Sequence, residues 1–128
     1  MTASCRVTAV ALGDGAYALR FTLANDGSTE IEVPSYEPFV SFAVRASAGG
    51  VAVPVHEPAL DIGVNPTTLR VPAGGTVQLE TPVRLRLDAE PDTDGFEWTV
   101  PHPRDGLSVQ VELRLPAPFD VPCAVALP

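Results

Sequence analysis

Alternation with a period of two residues restricts the fold of this chain more than any other feature. Tyr17, Leu19, Phe21 and Leu23 fall on one side of an extended backbone, and Ala18, Arg20, Thr22 and Ala24 fall on the other. Val77, Leu79, Val83, Leu85 and Leu87 are set against Gln78, Glu80, Arg84 and Arg86. Leu107, Val109, Val111, Leu113 and Leu115 oppose Ser108, Gln110, Glu112 and Arg114. Successive side chains of a strand point to opposite faces, so each run buries one face and wets the other, as antiparallel sheets do. Weaker segments at 6–12, 30–33, 39–45, 51–55, 68–71, 96–100 and 121–125 bring the set to nine to ten strands. No stretch with a helical period separates them, which excludes a parallel α/β sheet. The expectation is an all-β chain forming an antiparallel two-sheet sandwich.

Turn chemistry punctuates the strands. Asp-Gly occurs at 14–15, 26–27, 94–95 and 105–106, and Gly-Gly at 49–50 and 74–75. These pairs supply the positive φ angles of tight reversals. Gly13-Asp14-Gly15, between two alternating runs, predicts a hairpin. Proline lacks the N–H that a ladder needs and is confined to edges, strand ends and bulges. Pro34, Pro38, Pro54, Pro58, Pro66 and Pro72 crowd the middle of the chain and predict irregular crossovers between sheets there. With 128 residues and 45% hydrophobic content, residues 1–128 make one domain with a core of its own.

Two segments carry a family likeness. Leu19-Arg20-Phe21-Thr22-Leu23-Ala24-Asn25-Asp26-Gly27-Ser28-Thr29-Glu30-Ile31-Glu32-Val33 reads as strand, Asn-x-Gly turn and strand. Val71-Pro72-Ala73-Gly74-Gly75-Thr76-Val77-Gln78-Leu79 reads as a proline-glycine turn entering a long strand. Together they resemble bacterial immunoglobulin-like domains, in which Leu-x-Asn-x-Gly and Leu-x-Pro-Gly-x-Thr patterns recur; the bacterial intracellular proteinase-inhibitor domain is a similar case. The resemblance implies an immunoglobulin-like sandwich and, by analogy, a cytoplasmic protease inhibitor. The motifs specify turns, so they carry no inhibitory residue over to this chain. The antibody pattern of Cys, Trp and Cys is absent: Trp98 is not bracketed by a cysteine pair.

Charge narrows the partners. Sixteen Asp and Glu stand against eight cations, all of them arginine, for a net charge of -8. A nucleic-acid module needs a basic footprint, and an anionic membrane surface attracts basic segments, so neither partner is expected. A basic protein is. The N-terminal run Met1-Thr2-Ala3-Ser4-Cys5-Arg6 lacks a basic region followed by an apolar one. No signal peptide, and so a cytoplasmic chain, is the expectation. In a reducing cytosol Cys5 and Cys123 are expected as two buried thiols; the alternative, a disulfide, needs terminal strands that run side by side.

No catalytic constellation emerges from the motifs. His56 is followed by Glu57 and Pro58, and Leu60 stands where a zinc-protease helix needs its second His. His102, in Pro101-His102-Pro103-Arg104-Asp105, has a loop composition and no Gly-x-Ser-x-Gly elbow to serve. The acidic run of Asp88, Glu90, Asp92, Asp94 and Glu97 is the most suggestive cluster. Glu90-Pro91-Asp92-Thr93-Asp94-Gly95 imitates the opening of an EF-hand loop, but Pro101 falls where the closing Glu is required. If a cation binds, Glu90, Asp92 and Asp94 would hold it. Tyr36 and Phe39 sit in Ser35-Tyr36-Glu37-Pro38-Phe39, which reads as a loop able to form an aromatic contact point. Trp98 borders the acidic run; core placement is the expectation for it, and an interface contact the alternative.

The functional expectation is a non-catalytic interaction or structural module without a cofactor. It would bind another protein through an edge strand or through the loops 34–39, 88–95 and 101–106, with Tyr36, Phe39, Asp92, Asp94, Trp98 and His102 as candidate binding residues. The alternative is a domain that binds calcium or a saccharide at the acidic loop of residues 88–98.

Overall fold

The computed structural model describes residues 3–13, 16–37, 39–57, 64–87 and 97–127. Its strands are β1 (Ala3–Gly13), β2 (Ala16–Asn25), β3 (Ile31–Glu37), β4 (Phe42–Ala48), β5 (Val51–Val53), β6 (Asn65–Val71), β7 (Thr76–Leu87), β8 (Glu97–Val100), β9 (Leu107–Leu113) and β10 (Ala124–Ala126). Among the described residues there is no helix long and apolar enough to cross a membrane.

One sheet has the order β1-β2-β7-β8, a second β10-β9-β4-β5, and β3 and β6 form a separate two-stranded ribbon. The arrangement is all-β and sandwich-like, and alternation explains it. On β2, Tyr17, Leu19, Phe21 and Leu23 are buried, while Arg20 is exposed between them. Phe42, Val44 and Ala46 of β4 pair with Leu113, Val111 and Val109 of β9, and all six side chains are buried. Aromatic rings join the two inner faces. The Phe42 ring lies 5.6 Å from Phe21 and 5.2 Å from Trp98 on the opposite sheet. Burying such a ring stabilises the fold by roughly 1.5–3 kcal/mol.

β1 and β2 pair through Ala11↔Tyr17 and Gly13↔Ala16, the hairpin that Gly13-Asp14-Gly15 predicts. Residues 14–15 themselves lie outside the described residues. The β2–β7 register shifts between Ala18 and Arg20, whose partners are Arg84 and Glu80. Pro82 falls in that irregularity, where a residue without an N–H is tolerated.

Three expectations need correction. β7 and β8 run parallel, with Leu85 beside Trp98 and Leu87 beside Val100. The central prolines do not all mark crossovers: Pro34 and Pro66 lie within β3 and β6, opposite Thr68 and Tyr36. A two-stranded ribbon is all edge, so a proline can sit there without breaking a ladder on both sides. Finally, Cys5 and Cys123 are not two free thiols but a disulfide, with Cα atoms 5.7 Å apart. Cys5 belongs to β1, and the Cys123 carbonyl accepts from the Leu113 N–H of β9, so the terminal segments run close enough to bond.

The disulfide fastens one edge of the sandwich, where β1 of the first sheet meets β10 of the second. The opposite edge is held by the chain itself. A few residues beyond β5, His56 donates its N–H to the Thr99 carbonyl at 2.8 Å, and Thr99 returns the bond at 3.0 Å. Because the cystine closes a loop with a sequence separation of 118, it removes much entropy from the unfolded chain. Reduction, or joint replacement by Cys5→Ala and Cys123→Ala, is expected to lower unfolding free energy by about 2–5 kcal/mol in urea titrations.

Candidate functional site

Among the described residues, β6 and β7 are joined by a tight reversal but belong to different sheets. The Gly75 N–H donates to the Pro72 carbonyl at 2.9 Å, and Gly74 has φ of 68°, which suits glycine. A Cβ at Gly75 would stand 3.3 Å from Pro72 atoms, so the turn has little room for any larger residue. From this turn the two arms diverge. β6 turns to pair with β3, through Val71↔Ile31 and Leu69↔Val33, and β7 pairs with β2.

Asn25 sets the divergence. It is buried at the end of β2, and its Nδ2 donates to the carbonyls of Thr29 at 2.8 Å and Val71 at 3.1 Å. Its Oδ1 accepts the Gly27 N–H at 2.9 Å, and its own N–H donates to the Gly75 carbonyl at 2.9 Å. The Asn-x-Gly turn and the Gly74-Gly75 turn are thus tied to one residue, the first through its side chain and the second through its backbone N–H.

Between the diverging arms lies a solvent-open cleft of about 620 Å³. Leu69 of β6, Leu79 of β7 and Phe39 supply apolar surface, and Tyr36, Glu37 and Glu80 bring polar groups. β8 pairs with β7 only from Arg84 to Leu87. On the side away from β2, no described strand pairs with β7 from Val77 to Glu80. Burial records the same gap. Phe21 and Leu23 of β2 are fully buried, yet their partners Leu79 and Val77 on β7 are only partly covered.

The cleft brings together two of the residues singled out from sequence, in different roles. Tyr36 is 46% exposed, on strand β3 and not in a loop. Phe39 is a correction: it is buried, with its ring edge-on to Phe21 at 5.0 Å, and so forms the cleft's floor rather than an exposed contact. Trp98 is also core, 2% exposed and packed on Phe42. Its Nε1 and the Thr99 Oγ1 are buried without a hydrogen-bond partner among the described residues, a cost of about 1–3 kcal/mol each. His102 is partly buried in its loop, and its Nδ1 donates to the Pro103 carbonyl at 2.7 Å. In the same loop Arg104 lies over the Tyr17 ring, 5.4 Å from its centre.

Asp88, Glu90, Asp92 and Asp94 lie outside the described residues. Among the described residues no group of His, Cys, Asp or Glu is placed to hold a metal ion. Leu69, Leu79 and Glu37 escaped the sequence reading as site residues. Alternation assigns Leu79 to the core, and nothing in the pattern marks that no described strand pairs beside it. Compared with protein families, curated proteins and solved structures, the chain has no match.

The cleft's two aromatic residues should separate on substitution. Phe39→Ala leaves a cavity beside Phe21 and is expected to cost about 3–5 kcal/mol in chemical denaturation. Tyr36→Ala should change stability by no more than about 0.5 kcal/mol.

Proposed function

We propose that this chain is a non-catalytic protein-interaction module, an immunoglobulin-like sandwich that takes an extended segment of another protein along the open edge of β7. The observation that carries the reading is the incomplete cover of Val77 and Leu79 opposite fully buried Leu23 and Phe21. An added strand would pair its backbone with β7 and its inward side chains with Leu79 and Leu69. In strand addition the main chain supplies affinity and the side-chain pockets supply choice. The immunoglobulin-like part of the reading is supported by the turn roles of Asn25 and Gly74, the residues that carry the family resemblance.

The disulfide bears on where the module works. Persistent disulfides suit oxidising compartments and are rare in a reducing cytosol, so Cys5–Cys123 favours an oxidising setting over the cytoplasmic one expected from the N-terminal composition.

Affinity capture from host extract under non-reducing conditions tests the reading. Leu79→Lys places a charge in the cleft, whereas Val51→Lys alters a side chain 68% exposed on β5 of the other sheet. The partner captured by the unmodified protein should persist with Val51→Lys and fall about tenfold or more with Leu79→Lys. Equal capture by both variants contradicts the proposed site.

A further inference from the structure

We infer that the segment taken up by this cleft is a short basic strand with aliphatic side chains at alternate positions. The inference rests on the interaction reading above and adds the chemistry of the partner. Length comes first. The open edge of β7 runs from Val77 to Glu80, below the level at which Arg84 meets Glu97 and β8 begins. At about 3.3 Å per residue, the edge from Val77 to Glu80, with the three residues before Arg84, accommodates an extended segment of roughly four to seven residues. A longer strand would run into β8.

Alternation then fixes one face of the segment. Leu79 and Leu69 present partly buried apolar surface, and Phe39 forms the floor. Side chains at every second position of an added strand fall on this surface, and aliphatic β-branched residues suit both the extended backbone and the apolar contact.

Charge fixes the ends. Glu37 and Glu80 line the cleft. Arg20 engages Glu80 at 3.4 Å. Glu37 has no ion-pair partner among the described residues. The local excess is therefore negative, in a chain whose net charge is already -8. A strand flanked by arginine or lysine gains attraction on approach and at the rim, while an acidic strand is repelled.

Fluorescence anisotropy on the full, disulfide-bonded chain with two labelled peptides tests this. One is Arg-Val-Thr-Val-Thr-Val-Arg and the other Glu-Val-Thr-Val-Thr-Val-Glu. The basic peptide should bind about tenfold more tightly or better, with an advantage that shrinks as salt rises. Glu37→Gln, a change at an exposed residue with no folding role, should narrow the difference. Equal affinities for the two peptides overturn the basic-strand inference and leave the edge-pairing reading standing. Failure of both peptides to bind, or binding unchanged in folded Leu79→Lys and Leu69→Lys variants, overturns both.

Discussion

The buried amide of Asn25 decides where the strands of this domain part company. Its Nδ2 holds the carbonyls of Thr29 and Val71, its Oδ1 holds the Gly27 N–H, and its backbone N–H holds Gly75. The end of β2, the entry to β3, the end of β6 and the start of β7 are all fixed to this residue. In a low-dielectric setting such bonds are costly to lose, because the freed carbonyls would stay buried without a donor. With Asn25 in place, β6 can leave β7 at the Pro72–Gly75 turn and join β3, and among the described residues no strand pairs with that edge of β7 over Val77–Glu80.

The remainder of the domain keeps that gap from collapsing. The disulfide joins β1 to the β10 side, and the His56–Thr99 bridge joins the far end of the second sheet to β8. Phe21, Phe39, Phe42 and Trp98 fill the space between the sheets with a continuous aromatic contact. A sandwich fastened at both edges and packed through its middle has little freedom to slide β6 back against β7. The cleft is thus a product of the framework. Exposed ion pairs such as Arg20–Glu80 and Arg45–Glu112 add little to that framework, since solvent screens them.

Most of the strand plan was legible in the sequence because one-sided burial leaves a two-residue period, and β2, β7 and β9 show it cleanly. The Asn25 and Gly74 turns were legible for a similar reason: few residue types satisfy buried turn amides or a positive φ. Other features depend on distance in space, which sequence pattern does not carry. Cys5 and Cys123 pair because β1 and β10 meet at a seam, and neither strand's pattern announces its neighbour. The segment Ser35-Tyr36-Glu37-Pro38-Phe39 reads as a loop, yet Tyr36 lies on β3, because a ribbon edge tolerates Pro34. The aromatic character of Phe39 suggests a contact point, yet the core takes it, whereas Trp98 lies in the core as its strand position leads one to expect. Leu79 shows the limit most clearly: its alternation is that of a core residue, and only the strand order reveals that its cover is incomplete.

Amide hydrogen exchange, read residue by residue along β2 and β7, tests the central claim most directly. β2 lies between β1 and β7, so its amides from Arg20 to Leu23, beyond the register shift, should all be protected. On β7, alternate amides between Val77 and Glu80 should exchange freely, since an edge strand turns every second N–H away from its only partner. Continuous protection through Val77–Glu80 in the isolated protein would mean that another part of the chain already covers this edge, and would contradict the account.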